Sequence, residues 1–300
     1  MTEPAPGPIS TWVLAARPKT LPAAVAPVLV GTAVAYSVGG FRAGPAIAAA
    51  IGALLLQVGS NLANDVYDFE RGADREGRTG PMRVTQAGLL TPGQVRTGMA
   101  VVFGASILVG LYLTAVAGWP VVVIGLSAIV AAIAYTGGPY PLGYNGLGEL
   151  FVLLFFGFAA VCGTAFVQAG YVPGQAWPAG FAAGCLTTAI LVVNNVRDIE
   201  QDRMSGKRTL PVRFGREWGV AEFVALTALA FLVPVALVVT GRGPRTLLLA
   251  LAATPLAVPL VRSLRDKRGP ALNRTLAGTA RLLLVWSALY STGLVLGGKP

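Results

Sequence analysis

Three hundred residues, 54% of them hydrophobic and only 12% charged, with a mean hydropathy of +0.67, exclude an ordinary soluble domain, in which about a quarter of residues carry charge. A net charge of +10 would suit a nucleic-acid binder, but the basic residues sit in short loops between apolar runs. Membrane topology and anionic head groups or substrates account for them, and no nucleic acid is expected. The chain has no histidine, which removes imidazole bases, histidine-ligated zinc and haem, and Ser-His triads. Both cysteines, Cys162 and Cys185, lie within apolar runs, which argues against a disulfide or a metal site.

In chain order, residues 1–10 read as a mobile Pro-rich tail without the basic start and cleavage site of a removable signal peptide. Residues 11–20 read as an interfacial approach carrying Trp12, Arg17 and Lys19, and 21–300 as a single transmembrane domain. Apolar runs of roughly twenty residues predict spans over 21–39, 45–64, 96–117, 119–135, 149–170, 177–196, 217–240, 245–262 and 277–297. That is an all-α membrane protein of about nine helices, the fourth of them short. With the spans so drawn, the side opposite the N-terminus holds only Arg42, Arg242, Arg245 and Lys299 of the 23 basic residues. Positive residues mark the cytoplasmic face, so the N-terminus is predicted on the cytoplasmic side of the inner membrane.

A polar stretch that occurs twice stands out from this apolar background. Residues 64–83 (NDVYDFERGADREGRTGPMR) and 194–213 (NNVRDIEQDRMSGKRTLPVR) agree without a gap at eight of twenty positions, where roughly one or two matches would arise from composition. The shared residues are Asn64/Asn194, Val66/Val196, Asp68/Asp198, Glu70/Glu200, Arg78/Arg208, Thr79/Thr209, Pro81/Pro211 and Arg83/Arg213. The copies follow the second and sixth spans and therefore share one orientation. A parallel repeat of this kind relates two halves about an axis along the membrane normal, and its two acidic helix ends can face each other across a central, cytoplasm-facing cavity. Eight of the thirteen acids belong to the copies: Asp65, Asp68, Glu70, Asp74, Glu76, Asp198, Glu200 and Asp202. Such crowding is repulsive unless something positive lies between them.

The spacing indicates what that is. Where helix continues into each copy, Asn64 and Asp68 are i,i+4 neighbours, as are Asn194/Asp198 and Asp198/Asp202. Carboxylate and amide oxygens without sulfur or imidazole suit a hard cation, Mg²⁺ above all, whose shell substrate phosphates and water complete. Arg78 and Arg83 in the first copy, and Lys207, Arg208 and Arg213 in the second, can bind phosphate oxygens. The simpler alternative is that acids and arginines pair with one another. A transporter would also use intramembrane acids and repeats, but its acids are expected near mid-span, not at helix ends backed by arginine-rich loops.

The pattern resembles the UbiA superfamily of intramembrane aromatic prenyltransferases, whose members have nine helices and two Asp-rich motifs, NxxxDxxxD and DxxxD. Asn64 and Asp68 match the first two places of the first motif, and Asp198 and Asp202 match the second. The third place of the first motif falls on Gly72, so that carboxylate is missing and Asp74 is its stand-in. The resemblance covers nearly the whole chain. It is carried also by residues 16–22 (ARPKTLP), 64–68 (NDVYD), 135–139 (YTGGP), 146–149 (GLGE) and 194–198 (NNVRD), which are most similar to the branch that prenylates 1,4-dihydroxy-2-naphthoate.

The resemblance implies Mg²⁺ held by Asp68, with Asp65 or Asp74 assisting, and by Asp198 and Asp202. It implies a polyprenyl diphosphate donor whose diphosphate is bound with Asn64, Asn194, Arg78, Arg83, Lys207, Arg208 and Arg213. It also implies decarboxylating prenyl transfer to 1,4-dihydroxy-2-naphthoate, giving demethylmenaquinol. Another aromatic acceptor such as 4-hydroxybenzoate is the alternative. Arg17 and Lys19 serve either to hold the acceptor carboxylate or as positive-inside anchors. Tyr135, Tyr140 and Tyr144 are either aromatic walls and proton acceptors of the acceptor site or interface anchors. Gln57, inside the second span, has no assigned role, and Glu149 reads as a capping charge at a helix start.

Overall fold

A computed structural model describes residues 6–73, 80 and 82–298, and every regular element among them is helical. The helices are α1 (Pro8–Ala16), α2 (Pro22–Ser37), α3 (Ala43–Glu70), α4 (Pro92–Ala117), α5 (Pro120–Ala134), α6 (Gly148–Ala169), α7 (Ala176–Arg197), α8 (Ile199–Met204), α9 (Leu210–Phe214), α10 (Arg216–Val239), α11 (Arg245–Asp266) and α12 (Asn273–Gly297). Local chemistry sets their ends. Proline at the first turn opens α2, α4 and α5, where its missing N–H costs nothing. Thr91 and Gln94 cap α4 reciprocally. Gly118 (φ 86°) and Gly170 (φ 83°) stop α4 and α6 in conformations that few other residues adopt.

Among the described residues, seven helices are long and apolar enough to cross a bilayer: α3, α4, α6, α7, α10, α11 and the Gly269–Gly297 segment containing α12. The chain is therefore a multi-pass membrane protein. The N-terminal segment Pro8–Thr20 and α2 make an eighth only as a pair bent by 54°. Each of the nine predicted spans falls on a helix, but among the described residues seven, or eight with the bent pair, are long and apolar enough to cross. The shortfall is α5, whose 15 residues reach roughly 22 Å against a hydrocarbon core of about 30 Å. A second difference lies at the N-terminus, where helix begins at Pro8 rather than after a ten-residue tail.

The most deeply buried span is α7. Its Gly180 and Gly184 meet Gly157 of α6 so closely that a Cβ at Gly184 would stand 2.9 Å from Gly157 Cα and 2.7 Å from a Leu153 side-chain carbon. Small residues permit such approach where lipid gives no hydrophobic drive for helix association. Leu186 on α7, Phe223 on α10, and Trp286 and Tyr290 on α12 anchor the main core. A separate, smaller core joins Ala15 of α1, Leu62 and Val66 of α3, Val84 and Leu90 of the segment before α4, and Val95 of α4. The repeat is visible in the packing: α3 lies along α4 as α7 lies along α10.

Candidate active site

A cavity of about 750 Å³ runs between the two halves. Its long apolar part is walled by α3 (Ala49, Gly52, Leu56), α4 (Ile107, Leu111), α5 (Ile124, Ala128) and α6 (Phe151, Phe155). Its polar end is lined by Asn64, Asp68, Asn194, Asp198, Asp202 and Lys207, with Arg17, Lys19 and Arg83 beside them.

In the first copy α3 runs unbroken to Glu70, so Gln57, Asn61, Asn64 and Asp68 fall in one stripe facing the cavity. Asp65 is one residue off that stripe, about 100° around the helix, and is not among the lining residues. Its carboxylate instead accepts the backbone N–H groups of Val84 (3.2 Å) and Thr85 (3.1 Å) and lies 3.7 Å from Arg17. The expected assistance of Asp65 at a metal is not what this geometry brings about. The residue ties the 83–85 segment and the N-terminal segment to α3.

Asp68 is the hub. Its Oδ1 accepts from the Tyr144 hydroxyl at 2.7 Å, and its Oδ2 lies 2.5 Å from Arg83 and 3.5 Å from Lys207. Arg83 also donates to the Asn64 carbonyl at 2.6 Å, and the Asn64 side chain accepts from Thr136 at 3.0 Å. Burial and the adjacent Asp68 carboxylate push the Tyr144 phenol above its ordinary value, so it remains a donor. Its ring lies 5.5 Å from the Arg71 guanidinium and 4.7 Å from Lys207 Nζ.

In the second copy the helix does not continue unbroken. α7 ends at Arg197, Asp198 leaves helical geometry (φ −101°, ψ 10°), and α8 resumes at Ile199. The turn is retained across the break because Asp202 N–H donates to the Asp198 carbonyl at 2.8 Å. Arg197, which the sequence reading did not single out, is buried and holds Asp198 through two bonds (2.8 and 2.6 Å), Asn194 at 2.7 Å and Asn273 at 2.9 Å. Asp202 is pushed up to about 7 by burial and by Asp198 and Asp68, against the pull of Lys207. Lys207 Nζ lies 3.8 Å from Asp202, so this ammonium touches one carboxylate of each copy. The positive charge required between the copies is in part a side chain of the chain itself.

Not every candidate reaches the cavity. Tyr135 and Tyr144 line it, whereas Tyr140 is 61% exposed outside it. Arg208 and Arg213 are exposed and off the lining, and Arg213 is spent on the Asn145 carbonyl at 2.8 Å. Asp74 and Arg78 lie outside the described residues. Glu149, in the first turn of α6, accepts from Asn195 at 2.8 Å, as suits a helix-start charge with a buried partner. Gln57 belongs to a polar network beside the cavity, donating to Thr20 (3.3 Å) and Asn61 (3.2 Å).

The UbiA prenyltransferase family model matches residues 24–290. The chain belongs to that family. Among its relatives, the 1,4-dihydroxy-2-naphthoate octaprenyltransferase of Escherichia coli is 38% identical over 305 residues, covering 99% of this chain and 98% of that protein. The proteins of the same name from Mycobacterium leprae and Haemophilus influenzae are 37% and 36% identical, each covering 96% of this chain and 97% of their own. A UbiA homolog from Archaeoglobus fulgidus, solved bound to DMAPP and Mg²⁺, superimposes with a TM-score of 0.67 at 16% identity over 95% of this chain and 99% of its own. That likeness carries the UbiA fold.

The acids of the site are already partnered by cations of the chain itself. Among the described residues no group of three or more acidic or sulfur ligands is arranged to hold a metal, and Arg83, Lys207 and Arg197 stand on the carboxylates. The donor chemistry nevertheless fits Mg²⁺. Asp68 and Asp202 already share one cation at 3.5 and 3.8 Å, their donors are all oxygen, and the open cavity leaves room for phosphate and water to complete a shell.

Proposed function

We propose that the protein transfers a polyprenyl group from polyprenyl diphosphate to 1,4-dihydroxy-2-naphthoate with loss of carbon dioxide, the prenylation step of menaquinone biosynthesis. The observation that carries this reading is the meeting of both acid-bearing repeat ends at the polar head of one long apolar cavity. Full-length relatives named for that reaction support the choice of acceptor.

Asp68, Asp198 and Asp202 would hold Mg²⁺ with Asn64 and Asn194 beside them, and Asp74 remains a proposed further ligand. Bound there, Mg²⁺ supplies charge neutralisation for a departing diphosphate. Arg83 and Lys207, at the cavity head, bind and orient the diphosphate and stabilise charge as the allylic C–O bond breaks and the diphosphate leaves with the electron pair. Arg208 and Arg213, exposed outside the cavity lining, are assigned to the solvent-facing edge of that diphosphate site, and Arg78 remains a proposed further phosphate contact. The apolar walls hold the isoprenoid tail and keep water from the allylic cation. Arg17 and Lys19, on the cavity wall and next in sequence to Ala16 and Thr20, which bond Asn61 and Gln57, orient the acceptor carboxylate, and Tyr135 and Tyr144 wall the ring. The ring carbon bearing the carboxyl group attacks the cation, and the carboxyl group leaves as carbon dioxide, restoring the ring. No nucleophilic side chain is needed, in keeping with a chain that lacks histidine.

The N-terminus and the cavity head are assigned to the cytoplasmic side of the inner membrane from the distribution of basic residues. The test is a product assay on purified protein with Mg²⁺ and a polyprenyl diphosphate, read by mass spectrometry. A demethylmenaquinol-mass product from 1,4-dihydroxy-2-naphthoate is the expected result. A prenylated 4-hydroxybenzoate that keeps its carboxylate, with no naphthoquinol, would overturn the acceptor assignment.

A further inference from the structure

Among the described residues, Arg83, Arg197 and Lys207 stand on Asp68, Asp198 and Asp202 with very different tethers. Arg83 is fixed by bonds of 2.5 and 2.6 Å to Asp68 and the Asn64 carbonyl. Arg197 is fixed by four bonds of 2.6–2.9 Å. Lys207 makes only long contacts: 3.5 Å to Asp68, 3.8 Å to Asp202 and 4.7 Å to the Tyr144 ring centre. Its backbone is nonetheless held firmly. Lys207 N–H donates to the Asp202 carbonyl at 2.9 Å, Gly206 takes the left-handed turn (φ 76°), and Arg208 N–H donates to the Tyr144 carbonyl at 2.7 Å. What is loose is the four-carbon stem, part of which is open to solvent, with 18% of the side chain exposed. The stem can swing while the segment stays in place.

The two carboxylates that Lys207 joins are both buried, and come from different repeats. A divalent cation entering between them must displace an ammonium from the same oxygens. A diphosphate arriving with the metal offers that ammonium a new anionic partner.

We propose that Lys207 is a placeholder. It neutralises the Asp68–Asp202 pair while the site is empty and moves onto the diphosphate when the metal enters, so that metal and diphosphate bind as a coupled pair. The inference rests on the metal–diphosphate reading of this site given above. Coupling of this kind is reciprocal, so whatever the diphosphate does to metal affinity the metal does to diphosphate affinity.

The test uses full-length protein in detergent, with Mn²⁺ as the metal probe read by electron paramagnetic resonance and inorganic pyrophosphate as the anion, corrected for the complex they form in free solution. In wild type, saturating pyrophosphate should raise Mn²⁺ affinity about tenfold or more. Lys207→Met should bind Mn²⁺ alone about tenfold more tightly than wild type, because no ammonium has to leave, and should lose most of the coupling. A lysine that merely contacts the diphosphate would leave the Mn²⁺-alone affinity unchanged in Lys207→Met, and that result overturns the placeholder. Lys207→Gln is the second variant should the methionine protein not fold, and independent binding of the two probes in wild type overturns the idea without any variant. A wild-type protein that holds no Mn²⁺ even with pyrophosphate present would overturn the metal-site reading itself, an outcome distinct from loss of coupling alone.

Discussion

At the scale of single residues the site turns on Asp68, which receives Tyr144, Arg83 and Lys207 at once. Asp68→Asn keeps the shape and removes the charge. Turnover should fall by roughly 100-fold or more while the protein still inserts and purifies as wild type, measured by product mass spectrometry beside size-exclusion chromatography. Asp202 carries the pH dependence. Its carboxyl group is raised to about 7, above the ordinary carboxylate range, so in the empty site it is protonated below that pH and ionised above it. Metal must displace the proton at lower pH. Affinity for Mn²⁺ should therefore fall below pH 7, by up to about tenfold per unit, and hold steady above it; proton release measured by calorimetry in two buffers at pH 6 and pH 8 checks the sign. The sequence made the Asn64/Asp68 face legible because i,i+4 spacing is geometry that a helix cannot avoid. Asp65, next to Asn64 in sequence, is turned about 100° away from the cavity face and is bonded to the Val84 and Thr85 N–H groups. Arg197 escaped notice for a different reason: its counterpart in the first copy is Tyr67, so the repeat that marked the other residues passes over it. The simpler alternative considered for the charges, acids paired with arginines, is also present, in Asp68–Arg83 and Asp198–Arg197.

At the scale of elements, α7 holds the second acid cluster in place, and its position depends on the glycine contact with α6. Gly184→Val would drive a branched side chain into Gly157 and Leu153, where even the first carbon finds 2.7–2.9 Å. A loss of about 1–3 kcal/mol is expected, seen as a lower unfolding temperature in detergent, whereas Gly125→Ala on α5, where nothing lies within 4 Å of an added carbon, should be nearly silent. The spans were legible because uninterrupted apolar length is a strong signal. Two breaks were not. The π-helical turn at Leu153–Ala159 of α6 and the interruption at Asp198 follow from what those segments pack against and bond to, which no local pattern records.

At the scale of the whole molecule, a ligand that needs carboxylates from both repeats must hold the halves together. Mg²⁺ and pyrophosphate added jointly at about 100 times their dissociation constant should stabilise the fold by about 2.7 kcal/mol, on the order of 5 °C in unfolding temperature. Differential scanning fluorimetry should show the shift in wild type and not in Asp68→Asn. The offset of 130 residues revealed two equivalent halves. The repeat also predicted a central cavity, but its walls were beyond the sequence, because they come from α3, α4, α5 and α6 and depend on how closely these helices approach. The shortness of α5 has a consequence for the bilayer as well. With Val123 and Val130 exposed outside the cavity lining on a helix that stops well short of the hydrocarbon thickness, acyl chains beside it would have to splay or tilt to cover the gap. A bilayer thinned on that flank, next to the apolar wall of the cavity, is the expected accommodation. Turnover in vesicles should then depend on acyl length, with short-chain lipids relieving the mismatch and long-chain lipids pressing on the thinnest wall of the enzyme.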